Sequence, residues 1–275
     1  MKKILFPTDF SEGAKNALKY TIELAKQLDA KIDVTHIFNL PFIETPGMTA
    51  SMLEKMIAEK KNLIQEKLHL FMDEIPKKHR GDAIPVYGVF IPEEIHDLAE
   101  EGKYDMVAMG TLGEHHTQFE KIVGSVTTNT LMRVKCCPVL AIPIDCKWNG
   151  IKRIAYATDF HPKDEVAASK LLDLAMTLGA RVHFVHVESH PQIGEEEDTI
   201  LLEKYPFDFT DFAVINSPDA ISGFDRYLNE KKLDLLALFI PKRRLWERLF
   251  HSSFTKKMTF HTKIPLIVYH ANNHA

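Results

Sequence analysis

The sequence predicts an α/β protein of two tandem open parallel sheets with helices on both faces, and three observations lead there. First, short apolar runs alternate along the chain with segments of helical spacing. Second, Ile4-Leu5-Phe6-Pro7-Thr8-Asp9-Phe10 returns 150 positions later as Ile154-Ala155-Tyr156-Ala157-Thr158-Asp159-Phe160. Third, the register holds, because Ala30-Lys31-Ile32-Asp33-Val34-Thr35-His36-Ile37 returns as Ala180-Arg181-Val182-His183-Phe184-Val185-His186-Val187. A repeat this long lets each copy bury a core of its own, so it marks two domains rather than a solenoid. Strands separated by helices need crossover connections, which belong to parallel sheets.

The elements of the first copy follow in order. Ile4 to Phe6 is a short apolar run ending at Pro7. Ser11-Glu12-Gly13-Ala14 opens a helix whose Ala17, Leu18, Thr21, Ile22, Leu24, Ala25 and Leu28 share one face. Ile32 to Phe38 reads as strand, and a long helical segment from about Thr49 to His79 follows a Pro-containing loop. Pro85 to Phe90 is predicted as strand, Pro92 to Glu101 as helix, Asp105 to Met109 as strand, Lys121 to Lys135 as helix and Val139 to Ile142 as the fifth strand. The first domain is expected over 1–144, the linker over Asp145 to Gly150, and the second domain over 151–275. In the second copy Leu233 to Leu238 matches Tyr104 to Met109 at an offset of only 129, so its middle is shorter. The long helix is reduced there to Gly194 through Tyr205, and its acidic start, Glu195 to Asp198, suits a solvated first turn.

Composition narrows the function classes. The 275 residues are 45% hydrophobic and 26% charged, ordinary for a globular protein, and the net charge of -4 supplies no basic field for nucleic acid. No apolar run approaches the ~20 residues that span a bilayer, and the polar start does not suit a signal peptide. A cytoplasmic protein without membrane or nucleic-acid partners is expected. Three cysteines, Cys136, Cys137 and Cys146, make no disulfide framework. The vicinal pair could hold a metal or sense oxidants, but Cys137-Pro138-Val139-Leu140-Ala141-Ile142 reads better as the opening of a buried strand.

Ligands of open parallel sheets bind beyond the carboxyl ends of the strands, where the winding reverses. Pro7-Thr8-Asp9 stands after the first strand, and Gly110-Thr111-Leu112-Gly113 after the fourth, with Gly124-Ser125-Val126 opening the next helix. Amides of such glycine turns and of a helix start form a concavity for phosphates, and Asp9 has acceptors for a ribose or an exocyclic amine. His115-His116 could bind a metal or assist hydrolysis, but adjacent residues rarely face one ion, so solvated loop histidines are the preferred reading and no metal site is expected. His36 and His186 fall at equivalent strand positions and read as buried or half-buried core histidines.

These motifs together, with Lys-Lys-Ile-Leu-Phe-Pro-Thr-Asp-Phe-Ser at the start, Val34-Thr35-His36-Ile37 in the second strand and Cys137-Pro138-Val139-Leu140 before the fifth, resemble the universal stress proteins. The resemblance covers nearly the whole first copy and, with the weaker second copy, is to the tandem type. It implies five parallel strands in the order 3-2-1-4-5 and, as in one branch of the family, ATP bound through Gly-x-x-Gly, about nine residues, then Gly-Ser/Thr. Carried over, it implies that Asp9 and Val34 contact adenine and ribose, that Gly110, Gly113, Gly124, Ser125 and Val126 surround the phosphates, and that Pro7, Thr8 and Met109 complete the pocket. Magnesium could accompany the nucleotide. The interval between Gly113 and Gly124 holds ten residues, one more than the pattern, and includes Glu114 and Glu120.

The second copy has Leu238-Phe239-Ile240-Pro241-Lys242-Arg243-Arg244 in place of the first glycine turn and Ser252-Ser253 in place of Gly124-Ser125. Asp159 survives and suits a helix cap. Lys242, Arg243, Arg244 and Arg248 read as a surface cluster, or as a receiver for a partner's anion. The leading expectation is a stress protein holding ATP or a related adenine nucleotide in its first domain, with the second as a pseudo-dimer partner. The resemblance implies pairing of fifth strands, within the chain or in a homodimer, and Val139 to Ile142 and Leu266 to Tyr269 are apolar enough for it. An ATPase sharing the pocket and a scaffold without nucleotide remain the alternatives; no Walker-type lysine follows the glycines.

Overall fold

The computed structural model describes residues 2–40, 49–111, 125–157, 164–188, 211–216, 226–227, 230–240 and 264–270. The chain forms two compact units, Met1–Trp148 and Asn149–Ala275. In the first, the elements are β1 (Lys2–Pro7), α1 (Glu12–Leu28), β2 (Ala30–Phe38), α2 (Ala50–Phe71), β3 (Arg80–Tyr87), α3 (Ile91–Glu101), β4 (Met106–Gly110), α4 (Ser125–Arg133) and β5 (Val139–Ile142). The second contains β6 (Arg153–Ala157), α5 (Asp164–Leu178), β7 (Arg181–Glu188), β8 (Asp211–Asn216), β9 (Leu235–Ile240) and β10 (Leu266–His270).

The first unit's strands run in the order β3-β2-β1-β4-β5, all parallel. Ile4, Leu5 and Phe6 are at most 1% exposed although neighbouring residues of a strand face opposite sides, so both faces of β1 are covered. In the second unit β7 lies between β6 and β8, and β9 between β6 and β10, which is the same order in its own count.

Capping chemistry sets the helix ends. Ser11 accepts from the Ala14 amide at 3.1 Å to start α1, and Asp29, at φ 48°, ends it by donating its amide to the Ala25 carbonyl. Leu18 and Leu24, each 1% exposed, contribute about 1.5–3 kcal/mol apiece by burial. Thr49 caps α2, which stops at Phe71, short of the expected His79, because a 3-10 turn over Met72–Glu74 and then Pro76 intervene.

β3 departs most from the sequence reading. It begins at Arg80, not Pro85, and Gly88 to Phe90 lie outside it, with Phe90 immediately preceding α3. Its first residues pair with β2 around an irregularity between Ile32 and Val34, so this polar stretch joins the sheet through backbone bonds rather than apolar burial. The first unit also runs to Trp148, past the expected end at 144. Asn16 donates to the Cys146 carbonyl at 2.9 Å, and Trp148 packs edge-on against Tyr20 at 4.8 Å, which fastens this segment to α1. The expected helix over Gly194 to Tyr205 and the basic cluster at Lys242 to Arg248 lie outside the described residues.

At the amino edge of the first sheet stands a buried carboxylate. Asp33, 3% exposed, accepts from the Tyr104 hydroxyl at 2.7 Å and from the Asp82 amide at 2.8 Å, and lies 3.7 Å from the Lys3 ammonium. Lys3 also lies 4.4 Å from the centre of the Tyr104 ring. A Cβ on Gly81 would collide with this carboxylate, so a glycine is required there. Tyr104→Phe should cost about 1.5–3 kcal/mol, the range for a hydrogen bond to a charged group. Urea unfolding in a Trp246→Phe background, where Trp148 reports on the first unit alone, measures it.

Candidate functional site

Parallel pairing brings the carboxyl ends of β1, β2, β3, β4 and β5 to one edge of the first unit, with β1 and β4 adjacent where the winding reverses. The turn leaving β1 is tightly held. The Thr8 amide donates to the Thr35 carbonyl at 2.9 Å, and the Phe10 amide donates to Thr8 Oγ1 at 3.0 Å. Asp9 Oδ1 accepts from the Ser11 amide at 3.1 Å and from the Ser11 hydroxyl at 2.6 Å. Phe10 sits at φ 64°, a conformation that costs a bulky residue energy, and its ring lies against His36 at 4.7 Å and Phe71 at 5.7 Å.

His36 closes this arrangement. Its Nδ1 lies 2.7 Å from the Thr8 carbonyl, which can only accept, so Nδ1 carries the proton. Burial pushes its pKa down; the Thr8 bond and the Asp9 charge oppose that, and Lys67 and Lys60 add to it. The expected core histidine is therefore a strut beneath the turn that presents Asp9.

Beside the turn, the end of β2 (His36 to Phe38) with Asn39 after it, Lys60 of α2, Gly88 and Val89 of the β3–α3 connection and Ile91 at the start of α3 line an open cleft of about 210 Å³. The Gly88 amide donates to the Phe38 carbonyl at 3.0 Å, tying the two walls together.

The sequence-predicted residues distribute around this edge in three ways. Pro7, Thr8 and Asp9 occupy the turn, with Asp9 also serving as a brace for the Ser11 cap. Met109 is 6% exposed and pairs with Ala141; Gly110 ends β4 opposite Ile142. A Cβ at Gly110 would come within 3.3 Å of the Gly13 carbonyl oxygen of α1, so this glycine serves close packing of helix on strand. Ser125 and Val126 form the start of α4, and Thr127 donates to the Gly110 carbonyl at 2.9 Å, which holds that helix start at the edge. Val34 is placed differently from the other predicted residues. It is fully buried level with Phe6, inside the sheet, and the β2 residues that line the cleft are His36, Ile37 and Phe38. Gly113, Gly124 and the His115-His116 pair lie outside the described residues. Lys60, Val89 and Ile91 were not predicted; they come from helix and loop segments whose apolar spacing carries no sign of a cleft.

Among the described residues no group of three or more His, Cys, Asp and Glu side chains is placed to hold a metal ion. No described helix is long and apolar enough to cross a membrane.

Residues 1–143, just over half of the chain, match the family model described as the universal stress protein family. The chain belongs to that family. Universal stress protein MJ0577 of Methanocaldococcus jannaschii is 32% identical over 157 residues, covering 51% of this chain and 94% of the relative. Universal stress protein MJ0531 of the same organism is 27% identical over 146 residues, covering 51% and 81%. The crystal structure of a universal stress protein from Archaeoglobus fulgidus superposes with a TM-score of 0.71 over 98% of each chain at 19% identity, a likeness of fold.

In this universal stress protein the His36 strut makes a pH prediction. Its folded pKa lies below the ~6.5 of an unfolded histidine, so the unfolded chain binds more protons. Stability is full above about pH 6.5 and is lost as pH falls from there toward the folded value. Urea unfolding of the first unit should show a steeper loss between about pH 7 and 5 in the unaltered chain than in His36→Gln, which keeps a donor without titrating.

Proposed function

We propose that the first unit binds an adenine nucleotide, ATP or a close relative, along the carboxyl edge of its sheet, as a binding protein rather than an efficient hydrolase. The observation that carries this reading is the braced acidic turn where the winding reverses, with an open cleft at the neighbouring end of β2. At about 210 Å³ the cleft is smaller than the ~300–1,000 Å³ of sites that enclose a whole small molecule, so it suits one moiety. The base occupies it, the ribose meets Asp9, and the phosphates extend toward Gly110, Ser125 and Val126, where the helix start of α4 favours negative charge. Gly113 and Gly124 belong to the same phosphate turn by sequence. The second unit, whose sequence lacks these glycines, is a companion domain without a nucleotide site of its own.

Calorimetric titration tests this directly. ATP should bind the intact chain, Asp9→Ala should weaken it about 10- to 100-fold, the loss expected for one charge-assisted hydrogen bond, and Gly113→Val should abolish it. No binding to the unaltered protein would leave the scaffold reading. Steady release of phosphate over many turnovers with magnesium would make it an ATPase.

A further inference from the structure

The opposite, amino edge of the first sheet carries a thiol cluster that the nucleotide reading does not use. Between the end of α4 and Val139 the chain runs Val134-Lys135-Cys136-Cys137-Pro138. Val134 and Cys137 are buried and fix this connection, while Cys136 is half-buried and reachable. The two sulfurs are 4.0 Å apart. The Glu93–Arg133 ion pair, at 3.3 Å, joins α3 to α4, and α3 brings His96 beside Cys136. The His96 Nδ1 is buried and has no hydrogen-bond partner among the described residues.

The two thiols differ in character. Contact with Cys137 is the main reason the Cys136 thiol is lowered to about 6; burial opposes it and His96 adds to it. Cys137 moves the other way, held protonated by its contact with Cys136, by burial and by the charges of Cys136 and Asp105. Cys146, by contrast, is raised to about 11 by burial. Of the three thiols, Cys136 is thus the one whose surroundings favour the thiolate.

We propose that Cys136 is a peroxide-reactive site, with Cys137 as its resolving thiol and His96 as the group that favours the reactive form. The Cys136 thiolate attacks one oxygen of hydrogen peroxide; the S–O bond forms, the O–O bond breaks, and hydroxide leaves to take a proton as water. Cys136 is then a neutral sulfenic acid, so the negative charge that helped keep the Cys137 proton in place is gone. Cys137 sulfur attacks the sulfenic sulfur, the S–S bond forms, the S–O bond breaks, and hydroxide departs with the Cys137 proton as a second water. Two thiols are oxidised and one peroxide is reduced. Adjacent Cα atoms lie ~3.8 Å apart, below the ~4.4 Å where ordinary disulfides begin, so the product is strained and easily reduced. A reversible mark, rather than a structural staple, is the consequence.

The deciding comparison is between cysteines within one intact molecule, so it does not depend on a variant folding. At pH 7, iodoacetamide should label Cys136 roughly 10- to 100-fold faster than Cys146, the thiolate advantage being partly offset by lower intrinsic nucleophilicity. His96→Gln should move the midpoint of the Cys136 labelling profile upward. Stoichiometric peroxide should remove two hydrogens from the Cys136–Cys137 peptide, reversibly with dithiothreitol, and Cys137→Ala should leave a Cys136 sulfenic acid that dimedone traps. Labelling of Cys136 no faster than Cys146 overturns the proposal, as does a dimedone adduct on Cys136 in place of the disulfide in the unaltered chain. Nucleotide titration plays no part in these readouts, so failure here is separate from failure of the nucleotide reading.

Discussion

The buried carboxylate of Asp33 fixes the alignment on which the carboxyl edge depends. Along β2, Ile32, Asp33, Val34 and Thr35 are all buried, so apolar patterning does not distinguish one pairing register from the next. Polar bonds make that distinction. Asp33 meets the Tyr104 hydroxyl and the Asp82 amide only in the observed alignment, and Thr35 adds a 2.8 Å bond to the Ile84 carbonyl. A slip by one residue would leave a carboxylate unpartnered in the interior at a cost of several kcal/mol. The same alignment, carried to the other end of the strands, sets Thr35 under the Thr8 amide and His36 under the Thr8 carbonyl.

The duplication can be read in hydrogen bonds as well as in sequence. Asp105 accepts from the Lys3 amide and donates its own amide to the Lys3 carbonyl; Asp234 does the same with Arg153. The Val107 and Leu236 amides donate to the carbonyls of Pro138 and Pro265, and the preceding turns place Lys103 and Lys232 at φ 51° and 50°. What the copies do not share is the carboxylate: His183 stands where Asp33 does, and Leu233 where Tyr104 does. The backbone clamp at the start of each fourth strand thus persists without the buried charge, so the fold's frame and its register lock are separable features.

How much was legible follows from what each element buries. β5 matched its predicted span because all four residues are apolar and buried, and β1 and β2 were only lengthened. The start of β3 was invisible because Arg80-Gly81-Asp82 joins the sheet by backbone bonds and a partner's carboxylate, neither of which leaves an apolar period. The position of Pro7-Thr8-Asp9 at the carboxyl end of β1 was legible, since strand ends are written in sequence. The cleft beside it was not. Val34 is buried opposite Phe6 rather than at the cleft, whose walls at Lys60, Val89 and Ile91 depend on how α2 and α3 pack, which no local pattern encodes. Gly110, read for phosphate approach, also packs close to the Gly13 carbonyl, which the sequence does not announce.

The geometry of the carboxyl edge bears on the cost of binding. Asp9 is held by Ser11, Ser11 by the helix it caps, Thr8 by Thr35 and His36, and Phe10 by rings on two sides. Each bond belongs to the chain itself, so the turn is ordered before any ligand arrives, and little side-chain entropy remains to be lost there. The strained φ of Phe10 fits this view, because a conformation that costs energy persists only where its surroundings over-determine it. Protonating His36 would place a charge in a half-buried site near Lys60 and Lys67, while Nδ1 could still donate to Thr8. Acid therefore weakens the strut through desolvation and repulsion, with the hydrogen bond intact.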